Sequence, residues 1–230
     1  MLLLNRAARY FPIIKILDEN KLSNSHSVLE VGSGSIGLGQ FRKVAFTGCD
    51  IYFPTPPEPP MKAIVGSASD LPFEDRSFDA VVASDVLEHI PPEARIKVVN
   101  ECLRVCRSIA IFGFPCGPLA WEIDRKLHQS YLTAGEAAPV WLQEHMDHAF
   151  PTSDVFNAVT GWSIQEMPNE HLRFHLSMMQ LERHHRINRA FSVLLESVPW
   201  LLRPILNLAN RRPAYRNIFV LKKLVETAAV

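Results

Sequence analysis

Apolar residues follow two rhythms along the chain. Near the start, Leu3, Ala7, Tyr10, Ile14 and Leu17 recur at spacings of three and four, which predicts an amphipathic helix within residues 1–24. From residue 26 onward, short continuous apolar runs take over. SVLEVGSG ends in glycines and predicts a buried parallel strand entering a tight turn, with residues 37–43 opening the next helix. VAFTGCDIYF predicts a second strand that ends near Asp50. KAIVGSA predicts a third, FDAVVASDVLEHI a fourth, and SIAIFGFP a fifth, stopped by Pro115. Helical spacing returns over residues 92–107, and TPPEPP, with four prolines in six residues, marks a loop.

Strands alternating with helices imply right-handed crossovers and a parallel sheet. In such sheets ligands sit beyond the carboxyl ends of the strands, where the winding reverses. The polar clusters of this chain fall at those ends. Past residue 117 the pattern predicts helix over 119–148, a sixth strand at GWSIQEM and a seventh at NIFVLKK. Residues 171–210 read as mostly helical, broken or kinked at Pro199 and Pro204. The expectation is one α/β domain with a doubly wound, mostly parallel seven-stranded sheet. It divides into an N-terminal helix (1–24), a core (26–116), a second region (117–170), a helical lid or insertion (171–213) and a last strand with its tail (214–230).

Composition supports a packed core: 47% of the 230 residues are hydrophobic and 21% charged. Arg6 and Arg9 interrupt the first apolar stretch, so it does not read as a secretory signal, and no uncharged run has transmembrane length. Cys49, Cys102, Cys106 and Cys116 form no CxxC pair and read as small buried residues, which suits a reducing, cytoplasmic compartment. The net charge of zero hides an asymmetry. Residues 1–170 hold 14 Lys and Arg against 21 Asp and Glu, whereas residues 171–230 hold 10 against 3. An anionic partner would meet the C-terminal quarter first.

The first turn, Gly32-Ser33-Gly34-Ser35-Ile36-Gly37, has the G-x-G-x-x-G spacing that lets backbone approach a bound cofactor. Asp50, at the end of the second strand, can accept from both hydroxyls of a ribose. These two features suit NAD and S-adenosylmethionine equally. Glu30 distinguishes them: a carboxylate two residues before Gly32 repels a pyrophosphate and attracts an ammonium or a sulfonium.

The stretch GSASDLPFEDRSFDAVVASDVLEHI, together with VLEVGSGSIG, resembles the class I S-adenosylmethionine-dependent methyltransferases, in the subgroup called methyltransferase type 11. The resemblance covers about residues 26–116 and implies a Rossmann-like methyltransferase fold. It implies that Glu30, Gly32 and Gly34 flank the methionine part of the donor, with Ser33 and Gly37 also among the cofactor-binding residues. Asp50 would hold the ribose, with Ile51 against the adenine. Ser67, Ala68, Asp70 and Leu71 would lie at the adenine edge, and Asp85, Val86 and His89 beneath the sulfonium. Two positions depart from the pattern. Ile36 stands where many members have glycine, and Ser67 stands where many have an aspartate.

His89 is the first candidate for proton transfer, since imidazole changes charge near neutral pH. His145 and His148 precede the sixth strand and are candidates for the acceptor pocket. The late histidines, including the i, i+4 pair His171 and His175, lack HExxH or a cysteine partner, so no metal site is expected. AFSVLLESVPWLLRPILNLA, flanked by arginines, fits either a lid or a peripheral membrane contact through residues 187–212. The basic residues lack interleaved aromatics, so no nucleic-acid partner is expected. The leading expectation is methyl transfer from S-adenosylmethionine, chiefly to oxygen, on a small-molecule, saccharide (glycan) or lipid-linked acceptor. The alternatives are an NAD-dependent oxidoreductase and a non-catalytic donor-binding or membrane adaptor module.

Overall fold

The computed structural model describes residues 3–22, 27–182 and 202–224. Seven strands form one sheet in the order β3-β2-β1-β4-β5-β7-β6. They are β1 (Val28–Val31), β2 (Phe46–Asp50), β3 (Met61–Val65), β4 (Phe78–Ser84), β5 (Cys106–Pro115), β6 (Trp162–His171) and β7 (Ala214–Lys223). β7 alone runs against its neighbours, pairing antiparallel with both β5 and β6. The seven-stranded, mostly parallel sheet is the expected one.

Alternation along the central strands divides the core. Val81 and Ala83 of β4, Ala110, Phe112 and Phe114 of β5, and Phe219 and Leu221 of β7 face one side. There they meet Val98, Val99 and Cys102 of the helix α2 (Pro92–Val105). The intervening residues Ala80, Val82, Ile109, Ile111, Ile218 and Val220 face the other side. That second face is covered by Tyr10, Ile13, Ile14 and Leu17 of the N-terminal helix α1 (Leu3–Glu19), as the three-and-four spacing required.

This position of α1 corrects one expectation. Residues 37–43 do not open a helix; a single 3-10 turn at Gly37–Gln40 connects β1 to β2. α1 lies on the face that such a crossover helix would have covered. Two further differences concern limits. The fourth strand stops at Ser84, because Asp85 turns to φ +53 and a 3-10 turn follows at Leu87–His89. The helical stretch 119–148 is two helices, α3 (Gly117–Thr133) and α4 (Val140–Asp147). Gly135, at φ +69, and Pro139 part them.

β6 extends to His171, so the helical part begins one residue later, with α5 (Leu172–Glu182). The last described helix is α6 (Leu202–Ala209). It contains Pro204 within its first described turn. Pro199 and most of the 187–212 segment lie outside the described residues. Among the described residues no helix is long and apolar enough to cross a membrane.

Candidate active site

The strand ends of β1, β2, β3 and β4 open on a cleft of about 410 Å³, within the size range of small-ligand sites. The glycine turn forms one wall. Gly32 adopts φ +71, and a Cβ there would overlap the Val86 side chain, so only glycine fits. Its N–H is held by the Cys49 carbonyl at 2.8 Å. Asp50 stands opposite: its Oδ2 accepts from the Gly34 N–H at 2.8 Å and its Oδ1 from the Ile51 N–H at 2.7 Å. Ile51 is 65% exposed although apolar, an open flat flank for an aromatic base.

Of the residues predicted to touch the donor, Gly32, Asp50, Ile51, Ser67, Ala68, Asp85 and Val86 line this cleft, and His89 joins them. The remaining six lie off its wall. Ser33 is buried under the turn, its hydroxyl donating to the Gly34 carbonyl at 3.0 Å. Gly34 and Gly37 shape the turn from behind. Leu71 is in the core, its N–H held by Glu101 at 2.9 Å. Asp70 is exposed and off the wall. Ser67 and Ser69 line the cleft there, with their hydroxyls 3.0 Å apart.

Glu30 requires a correction. Its side chain is 1% exposed and points beneath the turn, away from the cleft. Tyr10 Oη of α1 donates to Oε1 at 2.8 Å, and the Leu38 N–H donates to Oε2 at 2.7 Å. The carboxylate packs so tightly against Gly37 that any Cβ there would collide with it. Burial raises its pKa to about 7, against the lowering effect of the Leu38 and Tyr10 hydrogen bonds. Glu30 therefore braces the glycine turn and ties it to α1, and the charge argument drawn from it does not separate the two cofactors.

A second cavity, about 140 Å³ and lined mostly by residues with charged or polar groups, shares Asp85 and His89 with the cleft. Arg216 of β7, 2% exposed, donates to both Asp85 oxygens, from Nε at 2.7 Å and from a terminal nitrogen at 2.8 Å. Arg9 of α1 pairs with the same carboxylate. Burial opposes the charge on Asp85, but Arg216 and Arg9 outweigh it and hold the pKa at about 2. The other terminal nitrogen of Arg216 reaches Glu170 at 2.7 Å. Behind it, His175 lies against Tyr215, with ring centroids 3.4 Å apart, and faces Glu170 and Asp124. Burial would lower the His175 pKa, yet Glu170 and Asp124 push it up to about 9, so this ring is cationic at neutral pH.

His89 and His145 meet at the mouth of this cavity, ring centroids 4.8 Å apart. His89 Nδ1 faces Glu144 at 2.9 Å. Burial, then the neighbouring His145, lowers the His89 pKa, against the pull of Glu144. His145, 4% exposed, sets Nδ1 against Asp124 at 2.6 Å, and Tyr215 Oη donates to the same Asp124 oxygen at 2.8 Å. Trp141 and Phe150 pack edge-on to its ring. Burial, then repulsion from Asp85, raises the Glu88 pKa well above the usual carboxylate range. His148 caps the end of α4 and lines neither cavity. His171 and His175 do not converge: His175 faces Asp124 and Glu170, while His171 Nδ1 accepts from the Arg173 N–H.

Sequence reasoning missed Arg9, Glu88, Asp124, Glu170, Tyr215 and Arg216. No local pattern marks them, since Arg216 and Asp85 are 131 positions apart. The one available hint was the presence of charged residues inside otherwise apolar segments, such as Arg216 in β7.

Residues 29–113 match the family described as Methyltransferase domain. Among solved structures, the chain is similar to an SAM-dependent methyltransferase from Methanosarcina mazei, at TM-score 0.52 and 16% identity, covering 91% of this chain and 98% of that one. A protein from Pyrococcus horikoshii OT3 gives TM-score 0.50 and 16% identity, covering 95% and 90%. Magnesium protoporphyrin IX methyltransferase from Synechocystis PCC 6803, solved with bound SAH, gives TM-score 0.50 and 14% identity, covering 93% and 81%. At these identities the similarity is one of fold. The cleft fits S-adenosylmethionine: bare backbone at Gly32, a carboxylate at Asp50 for the ribose hydroxyls and the open face of Ile51. The match over residues 29–113 takes in every residue that lines this cleft, and marks it as the donor site of an S-adenosylmethionine-dependent methyltransferase domain.

Proposed function

We propose that the chain methylates an oxygen of a small polar acceptor, or of the polar head of a larger saccharide or lipid-linked one, seated in the cavity beside the donor cleft. One observation carries the reading: Asp85 and His89 form a wall common to both spaces. The cavity holds roughly five waters' worth of volume, at about 30 Å³ each, enough for a hydroxyl-bearing head but not for an extended ligand.

When bound, the donor supplies a methyl group on a sulfonium. The protein's part is to hold the acceptor in line with it and to take the acceptor's proton. Asp85 cannot take that proton near neutral pH, because two arginines keep it ionised and occupied. His89 is placed for the task. Its Nδ1 is turned to Glu144, so Nε2 is free to accept, and its lowered pKa leaves the ring neutral at pH 7. His145 supports it from the side, and His148 has no part in this arrangement.

Titration calorimetry with S-adenosylmethionine and S-adenosylhomocysteine, followed by a labelled-methyl screen over polyols, sugars and glycolipids, tests the reading. H89Q should retain donor binding within about tenfold and lose about 10²-fold in kcat/KM for the acceptor found. Wild-type kcat/KM should fall as pH drops below the ring's pKa, which lies under 6.5. Unchanged turnover by H89Q would sink the assignment.

A further inference from the structure

We propose that Glu88, His89 and His145 form a binding site for one divalent transition-metal ion at the mouth of the polar cavity. The ligand atoms these three residues offer all lie within 4.8 Å of one another, close enough for one ion to bridge them. Two histidines and one carboxylate are a donor set suited to Zn²⁺, Co²⁺, Mn²⁺ or Fe²⁺.

Three further observations point to a ligand. Each histidine presents Nδ1 to a carboxylate, His89 to Glu144 at 2.9 Å and His145 to Asp124 at 2.6 Å. An ionised carboxylate only accepts, so it fixes the proton on Nδ1 and leaves the Nε2 lone pair free, the usual outer support of a metal-bound imidazole. Second, His145 Nε2 and Glu88 Oε2 are buried with no hydrogen-bond partner. Glu88 is 1% exposed, and a buried oxygen left without a partner is costly. Third, the surrounding charge favours a cation. Asp85, Asp124 and Glu170 offset Arg9, Arg216 and His175, so no net positive charge repels a cation, and Glu144 adds a carboxylate at the rim.

Three protein ligands leave a coordination position open toward the cavity. If that cavity holds the acceptor, as proposed above, an acceptor oxygen bound there would lose its proton more easily, and His89 would serve as a ligand instead of the base. Only this consequence rests on the acceptor reading; the binding itself does not.

The test is Co²⁺ titration of the metal-stripped, donor-free chain, read by visible d–d absorption, with Zn²⁺ competition. Wild type should bind one equivalent, and Zn²⁺ should displace it. E88Q and H89Q should each bind at least about 100-fold more weakly, and E144Q about 10-fold more weakly. H89Q alters a partly exposed residue, so it remains informative should E88Q unfold, and thermal melts monitor folding in each. Absence of saturable binding up to about 1 mM Co²⁺ or Zn²⁺ overturns the site. So does undiminished binding in folded E88Q and H89Q, which would place the ion elsewhere. Transfer activity without metal binding would remove the metal and leave the acceptor reading standing. Metal binding without transfer to any screened acceptor would do the reverse.

Discussion

The two halves of the site are built by opposite means. The donor cleft comes from consecutive strand ends, β1 to β4, and its main wall is backbone. Gly32 brings bare backbone to the wall, and the Gly34 and Ile51 N–H groups fix the Asp50 carboxylate beside it. The polar cavity comes from α1, the turn after β4, α4, α5 and β7, and is walled by buried charge. Arg216, Arg9, Asp85, Glu170, Asp124 and His175 hold each other in place there. Backbone presents the same groups whatever the sequence, so a glycine turn can be read locally. Buried charges are tolerable only with partners, and those partners come from anywhere in the chain. The cleft is thus a local motif, and the cavity is a property of the assembled fold.

The sharpest way to break this contrast is at Arg216. R216M removes one cation and leaves Asp85 and Glu170 facing each other across an apolar stem. Loss of about 3–5 kcal/mol of stability is expected in urea unfolding. A loss below about 1 kcal/mol would mean that the cluster does not hold the cavity together.

D50N probes the other half. It keeps the shape but weakens the acceptor for ribose hydroxyls, and S-adenosylhomocysteine affinity should fall about 10- to 100-fold with little change in melting temperature. A large loss of stability instead would show that Asp50 serves the turn more than the ligand.

The smallest effect concerns the joint between α1 and the turn. Y10F deletes the hydroxyl that Glu30 accepts, at a cost of about 1 kcal/mol near pH 7. The sign of its pH dependence follows from the raised Glu30 pKa. Below the ordinary value of 4.5 the carboxyl is protonated in both folded and unfolded chains. Between 4.5 and about 7 the folded chain holds the proton more tightly, so this group's contribution to stability is lost as pH rises through that window. Tyr10 donates to the ionised form and lowers the pKa, so Y10F should raise it further. The deficit of Y10F relative to wild type should therefore be larger at pH 8 than at pH 5 in thermal melts. A deficit that is equal at both would detach Tyr10 from the titration of Glu30.

What was legible in the sequence, and what was not, follows the same division. The apolar runs at β1, β4 and β5 marked buried strands because both faces of a central strand meet core. Leu3 to Leu17 marked α1 because one face repeats at helical spacing. Residues 37–43 misled, since Leu38 and Phe41 have helical spacing but the segment makes only a 3-10 turn before β2. Glu30 misled for a related reason. Its place at a strand end suggested a ligand, whereas the hydroxyl of Tyr10, 20 residues earlier, occupies one of its oxygens.

By itself the sequence determined the sheet, the glycine turn, Asp50 and the donor-side motif, because each depends on neighbours within a few residues. Only the tertiary structure decided that Glu30 is a brace, that α1 covers a face of the sheet, and that Glu88, His89 and His145 meet. The physical reason is range. Backbone conformation and burial period are set by adjacent residues, whereas the state of a buried charge is set by whichever distant side chains the fold brings within a few ångströms.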